Sequence, residues 1–329
     1  MRFVVSVLLL SALTVLTVRC TQADTAEAEA PKTYLFLGHT YDWLAEGRVD
    51  PRLELIDYSQ FDGVWLGGDV CARTSKSETT LQYLDSLFQL SDPNTHWSWG
   101  NHDLLEGDSS LLLRYTERPS YYTYYEAGLL MIVLNTNLFW HHTWAPPHEN
   151  CAAKEKQYHW LKNVLDTVST ASEVLILHHH GLLNEFKTTA DGTPLNLGNV
   201  DAIPVRPLCD STSNFTTDIY PKLRAIRQRG IGLTMLSGDV GMRSKGYAIT
   251  IADSITMLGS GINNNLDMRD PAYYVTNFEP DSVLLLSYTP ARGALTWEFR
   301  HLSNWVLEDF IDPEVARQKP RLWAILSEY

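Results

Sequence analysis

The stretch SWGNHD, residues 98–103, closes the run DPNTHW and decides how the rest of the chain is read. Asn101, His102 and Asp103 can each ligate a metal or move a proton, and Gly100 lets backbone approach closely. THW (95–97), just before it, reads as the end of a buried strand. A polar group placed immediately past a strand matters because ligands of open α/β sheets bind outside the carboxyl ends of the strands.

Working outward, the same event recurs. TYLFLG (33–38) is an apolar run that stops at Gly38, and His39 follows. FDGVWLGGDV (61–70) ends in two glycines and Asp69, and SEVLILHHH (172–180) runs into His178, His179 and His180. IGLTMLSGDVG (231–241) ends in Gly238 and Asp239. Between these strands, SETTLQYLDSLFQL (77–90) has Leu81, Leu84, Leu87 and Leu90 at helical spacing behind a Ser77 cap. AAKEKQYHWLKNVLDTV (152–168) is an amphipathic helix pattern, and TTDIYPKLRAIRQRG (216–230) is another that Gly230 stops. YYTYYEAGLLMIVLN (121–135) reads as two strands meeting at Gly128, and residues 247–261 and 282–302 as hairpins. Alternating strands and helices followed by strands predict a layered α/β domain. The loops FWHHTWAPPHENC (139–151) and GSGINNN (259–265) are either substrate-facing or plain connections.

The 329 residues are 44% hydrophobic and 20% charged, enough for a sizeable core and too apolar for disorder. A net charge of −13 argues against a broad surface for a nucleic-acid backbone. Any phosphate recognised here needs a locally positive centre, which a bound cation supplies. Residues 3–18 form an apolar run behind Arg2, shorter than the roughly 20 residues of a membrane span. We expect a signal peptide over 1–23, or a lipoprotein signal ending before Cys20, then a linker over 24–32. The expected location is therefore outside the cytoplasm (periplasmic, cell-surface or secreted), with no membrane span in the mature chain unless it is lipid-anchored at Cys20. Of the remaining cysteines, Cys151 and Cys209 are the better pair and Cys71 is expected buried and free.

These motifs resemble those of the calcineurin-like metallophosphoesterases. GGD (67–69) and GNHD (100–103) match that family's second and third motifs, LILHHHGLL (175–183) its fourth, and NTN (135–137) its strand-end turn. The resemblance spans about residues 33–304 and implies a layered α/β/β/α sandwich with a metal site at the C-terminal ends of the strands. The domain is drawn at 33–310, with 311–329 a tail holding a short helix. Two motifs depart: HTY (39–41) stands where the family has Asp-x-His, and SGDVG (237–241) where it has Gly-His-x-His.

By carry-over, the resemblance implies hydrolysis of a phosphoric ester by a metal-activated water. Asp69, Asn101, His179 and Asp239 would hold one divalent ion (Mn, Fe or Zn) firmly. Asp69 and His39, with Tyr41 a further candidate ligand, would make a second site weak or absent, because Gly241 offers nothing. His39 is equally readable as a substrate contact, and Tyr41 as a packed aromatic. His178 remains an alternative to His179, since alternate side chains of a strand face opposite ways. His102 would serve as acid on the leaving oxygen, with Asp103 holding its ring. The partner so implied is a small phosphorylated substrate. The alternative is a catalytically silent relative that binds a phosphorylated or anionic ligand, motivated by the substituted motifs.

Overall fold

A computed structural model describes residues 30–142, 150–183, 205–207, 209, 213–239, 246–262 and 280–327. In chain order the elements are β1 (Lys32–Leu37), β2 (Gly63–Leu66), α1 (Glu78–Phe88), β3 (Thr95–Trp97), α2 (Asn101–Leu104) and α3 (Ser109–Thr116). They continue with β4 (Tyr122–Glu126), β5 (Leu129–Val133), β6 (Trp140–His142), α4 (Cys151–Thr167), β7 (Glu173–His178) and β8 (Val205–Pro207). The last are α5 (Tyr220–Gln228), β9 (Gly232–Ser237), β10 (Gly246–Ile251), β11 (Ile255–Ser260), β12 (Ser282–Thr289), β13 (Ala294–His301), α6 (Leu302–Asp309), α7 (Pro313–Arg317) and α8 (Pro320–Leu326).

Two sheets carry the chain. The first has strand order β13-β12-β1-β2-β3 and the second β10-β11-β9-β7-β5-β4. In the first, β1, β2 and β3 run parallel, and in the second β5, β7, β9 and β11 do. Parallel strands buried on both faces need near-continuous apolar runs, which is what VWL, LILH and LTML supply.

Three apolar clusters stack as layers. Tyr34, Phe36, Trp65, Met131, Leu175, Leu177 and Leu236 fill the space between the sheets. Val174, Ile176 and Met235 pack the second sheet on Leu161 and Leu165 of α4 and Leu223 of α5. Leu35, Leu37 and Leu66 pack the first sheet on Leu81 of α1 and on Val306 of α6. The order is helix, sheet, sheet, helix, as expected.

Local signals worked as read at α1, where the Ser77 hydroxyl accepts from Thr79 N at 3.2 Å. β4 and β5 form an antiparallel hairpin turning at Ala127 and Gly128, with Glu126 opposite Leu129. Cys151 and Cys209 form a disulfide with their Cα atoms 5.8 Å apart, and Cys71 is buried and free. Four details differ from the sequence reading. GNHD begins the helix α2 rather than a plain turn, because Gly100 N bonds the Asp103 carboxylate as a cap would. A π-helical turn, Phe215–Ile219, precedes α5. β6 and β8, read as loop, pair as an antiparallel ribbon. Within 311–329, two helices form rather than one, and Ala316, Leu322 and Leu326 join the core of the first sheet.

A buried ion triad ties the β1–β2 connection to the far end of the sheet. Arg52 bonds Asp50 through Nε at 3.0 Å and Nη2 at 2.7 Å, meets Asp281, and donates to Ser303 Oγ at 2.9 Å. Asp50, Arg52 and Ser303 are fully buried and Asp281 nearly so.

Where the parallel strands end, the two sheets touch backbone to backbone. A Cβ on Gly238 would collide with the Gly67 carbonyl, and one on Gly38 with Ser260 O and with Gly238. Only glycine allows this approach. The residues following those glycines, His39, Gly68 and Asp69, and Asp239, are thereby drawn to one edge.

Candidate functional site

Asp69 lies at the centre of that edge. Its Oδ1 accepts from His102 N at 2.8 Å. Its Oδ2 faces His179 Nε2 at 3.4 Å and His39 Nε2 at 3.7 Å. His39 and Asp69 both adopt positive φ, 49° and 53°, a conformation costing about 1–3 kcal/mol per residue and concentrated at functional sites.

The imidazoles share one orientation. His179 Nδ1 lies 2.8 Å from Gly67 O, His39 Nδ1 3.3 Å from Ile262 O, and His102 Nδ1 3.0 Å from Ala72 O. A carbonyl only accepts, so each Nδ1 carries the proton and each Nε2 is left for chemistry. Within the triple histidine, His179 is the ring whose Nε2 faces Asp69 Oδ2, at 3.4 Å. Val174 and Ile176 face the helices while Leu175 and Leu177 face the other sheet, so His178 follows the first set. His178 turns back, its Nδ1 contacting His180 O at 2.8 Å.

Burial is nearly complete here and governs the electrostatics. Desolvation lowers the His39 pKa against the pull of Asp69 and Asp239, and holds His178 at about 4. Desolvation opposes the proton on His179 too, but the carboxylates of Asp69 and Asp239 hold it up at about 10. Burial alone would raise Asp69; the surrounding imidazoles of His179, His102 and His39 outweigh it and hold the carboxyl well below its ordinary range.

Asp103 corrects the sequence reading: it does not hold the His102 ring, which the Ala72 carbonyl does. Its Oδ2 accepts from Asp69 N, Gly100 N and Trp97 Nε1 at 2.9, 2.8 and 3.2 Å, and its Oδ1 from Val70 N and Thr74 Oγ1 at 2.9 and 2.6 Å. One carboxylate thus fixes the Asp69 loop to the turn that starts α2. Burial and the Asp69 charge push it up to about 6 against those donors.

Tyr41 is packed rather than pendant. Its ring lies between His39 and His102, with centroids 4.6 and 5.0 Å away, and against Trp43 at 4.9 Å. Asn101 is half-buried at the start of α2. Asp239 follows β9 with its backbone N bonded to His179 O at 3.1 Å. Gly241 and the histidine-bearing loop residues 143–149 lie outside the described residues, as does the signal reading over 1–23.

The donor set fits a divalent cation. His179 Nε2 is buried without a hydrogen-bond partner. Metal bonds of about 2.0–2.2 Å put neighbouring ligand atoms roughly 3.0–3.5 Å apart, close to the Asp69–His179 spacing and a little under the Asp69–His39 one. Ligand atoms of His179, His180 and Asp239 lie within 4.8 Å of one another. His180 was not foreseen. Its ring position depends on Thr136, whose hydroxyl meets both His180 Nδ1 at 2.8 Å and His180 N at 3.0 Å. Only the surplus of histidines in 178–180 hinted at it.

Comparisons with known proteins bear on the family and the fold. The family model for calcineurin-like phosphoesterases matches residues 33–203. Among solved structures, GAP50, the anchor in the inner membrane complex of Plasmodium, is 10% identical with a TM-score of 0.51, covering 83% of this chain and 85% of its own. A metallophosphoesterase from Sphaerobacter thermophilus is also 10% identical, with 91% and 99% covered and a TM-score of 0.31, too low to argue from. At such identity the first likeness speaks to fold alone. No curated protein matches the chain.

Proposed function

The chain belongs to the calcineurin-like phosphoesterases, and from that premise we propose that it is an exported, metal-dependent phosphoric ester hydrolase centred on Asp69. The observation that carries the reading is the pair of imidazole Nε2 atoms, from two different sheets, facing one carboxylate oxygen at 3.4 and 3.7 Å. Asp69, His179 and Asp239 would hold a divalent cation (Mn, Fe or Zn), with Asn101 adding a neutral oxygen. That cation supplies positive charge for the phosphoryl oxygens and acidifies a water. His39 is the residue left for a second, weaker position. Its partner there is the Tyr41 ring, so close to one firmly held ion per chain is expected.

His102 is suited to protonate the leaving oxygen. Its Nδ1–H is engaged by Ala72 O, which leaves Nε2 as the nitrogen that exchanges a proton with substrate. Asp69 Oδ1 fixes the backbone beneath that ring, and Asp103 fixes Asp69. The apolar run over 3–18 and the Cys151–Cys209 disulfide support an oxidising compartment outside the cytoplasm. No helix among the described residues is long and apolar enough to cross a membrane. The acidic chain favours a small phosphorylated substrate over a nucleic-acid backbone.

The test is cleavage of p-nitrophenyl phosphate and bis-p-nitrophenyl phosphate with added Mn, Fe or Zn. His102→Ala and Asp69→Asn should abolish turnover while the circular dichroism spectrum is kept. A wild-type chain that binds the ions yet cleaves neither ester would overturn the hydrolase reading. It would favour the second one, a silent binder of an anionic ligand, for which the aromatic packing of Tyr41 speaks. Two tightly held ions per chain would sink the single-site part of the proposal.

A further inference from the structure

His180 stands outside the ligand set drawn from the resemblance, in which His179 is the imidazole of this segment. β7 ends at His178, so His180 lies past the strand and is no longer bound by its alternation. Thr136, in the turn after β5, takes over: its hydroxyl contacts both the His180 backbone N–H and ring Nδ1. With Nδ1 engaged, Nε2 is the nitrogen left to serve a cation. The His179 and His180 rings stand 4.7 Å apart at 82°. Perpendicular rings can aim their Nε2 atoms at a common point without stacking. Asp239 completes the group, with one ligand atom from each residue inside 4.8 Å.

We infer that His180 is a further ligand of the cation held by His179 and Asp239, an inference that rests on the metal-dependent reading of this site. Two neutral imidazoles and the Asp239 carboxylate then form the group, with Asp69 Oδ2 beside it at 3.4 Å from His179 Nε2. A second imidazole shifts the preference of such a mixed nitrogen and oxygen set toward zinc, cobalt or ferrous iron. His180 thereby supplies an imidazole that the SGDVG segment does not, and the site is tuned toward borderline metals.

The experiment titrates the metal-stripped chain with cobalt(II) alone, following visible absorption and heat. His180→Ala should weaken binding by about tenfold or more. His96→Ala, an equally buried histidine whose ring contacts Tyr122 and Tyr124 instead of the site, should stay within about threefold of wild type. Equal effects of the two substitutions, an unaffected His180→Ala, or a wild type that binds no cobalt would each overturn the inference. If His180→Ala does not fold, X-ray absorption of the cobalt-loaded His39→Ala chain counts the imidazoles directly. Two per ion are expected there, and one refutes. Ester cleavage measured in parallel separates the readings: two imidazoles without cleavage removes the hydrolase, and cleavage with one imidazole removes the His180 ligand.

Discussion

Replacing Asp103 by asparagine tests the claim that one buried carboxylate fixes the reactive loops. An asparagine keeps a single acceptor oxygen. Turned toward Asp69 N, Gly100 N and Trp97 Nε1, that oxygen still serves three of the five donors. The amide nitrogen then faces Val70 N and Thr74 Oγ1. Thr74 can rotate to accept, since Cys71 O is a second acceptor for its hydroxyl at 3.2 Å. Val70 N–H has no such freedom and is orphaned. An unsatisfied buried donor costs about 1–3 kcal/mol, and losing the negative charge weakens the three remaining bonds by a few tenths each. The lost bonds cost about 2–4 kcal/mol, but at pH 8 removing a buried charge whose pKa has been pushed up to about 6 returns about 3 kcal/mol, so urea unfolding should change little and the loss should appear in turnover. Turnover should fall mainly in kcat, because the Asp69 loop and the His102 helix lose their shared anchor. An Asp103→Asn chain with wild-type kcat would refute the assignment. Asp103→Ala strands every donor and should not fold.

Other perturbations follow from the same contacts. Tyr41→Phe should keep metal affinity and turnover near wild type because the ring, not the hydroxyl, packs against His39 and His102, whereas Tyr41→Leu should lower kcat; loss of metal in Tyr41→Phe would make the hydroxyl a ligand. Removing one partner of the buried triad, as in Asp281→Ala, should cost about 3–5 kcal/mol in urea unfolding by leaving the Arg52 charge under-compensated, and a loss below 1 kcal/mol would contradict this. Glu173, buried and bonded to Thr234, has its pKa raised by burial from 4.5 to about 7. A raised folded-state pKa contributes stability that is complete below the unfolded value and lost as pH rises through the folded one. Unfolding free energy should thus fall by about 3 kcal/mol between pH 4.5 and 7.5 on account of this group, and Glu173→Gln should remove that slope.

The strand ends were legible because burial on both faces forces continuous apolar runs, and glycines mark where those runs must stop. Asp69 and Asp239 follow such stops, and both carboxylates act on the His179 ring. The role of Asp103 was not legible. Its pairing with Asp69 N and Val70 N spans more than thirty residues and depends on how α2 turns, while the sequence offered only the neighbouring His102 as partner. The choice between His178 and His179 stayed open in the sequence, and both His179 and His180 lie beyond the strand, where Thr136 rather than any periodicity sets the His180 ring. The packing of Tyr41 was the commoner of its two sequence readings, but its neighbours Trp43 and His102 were not legible. Arg52 drew no reading from the sequence, because its partner Asp281 lies far along the chain.

The meeting of Gly38, Gly67 and Gly238 makes ion affinity a gauge of how the two halves of the molecule are registered. Asp69 and His39 ride on one sheet, His179 and Asp239 on the other, with no side chain cushioning the junction. A slip of a few tenths of an ångström, caused by repacking between the sheets around Trp65 or Leu177, would therefore register as altered metal retention before it registered as a lower melting temperature.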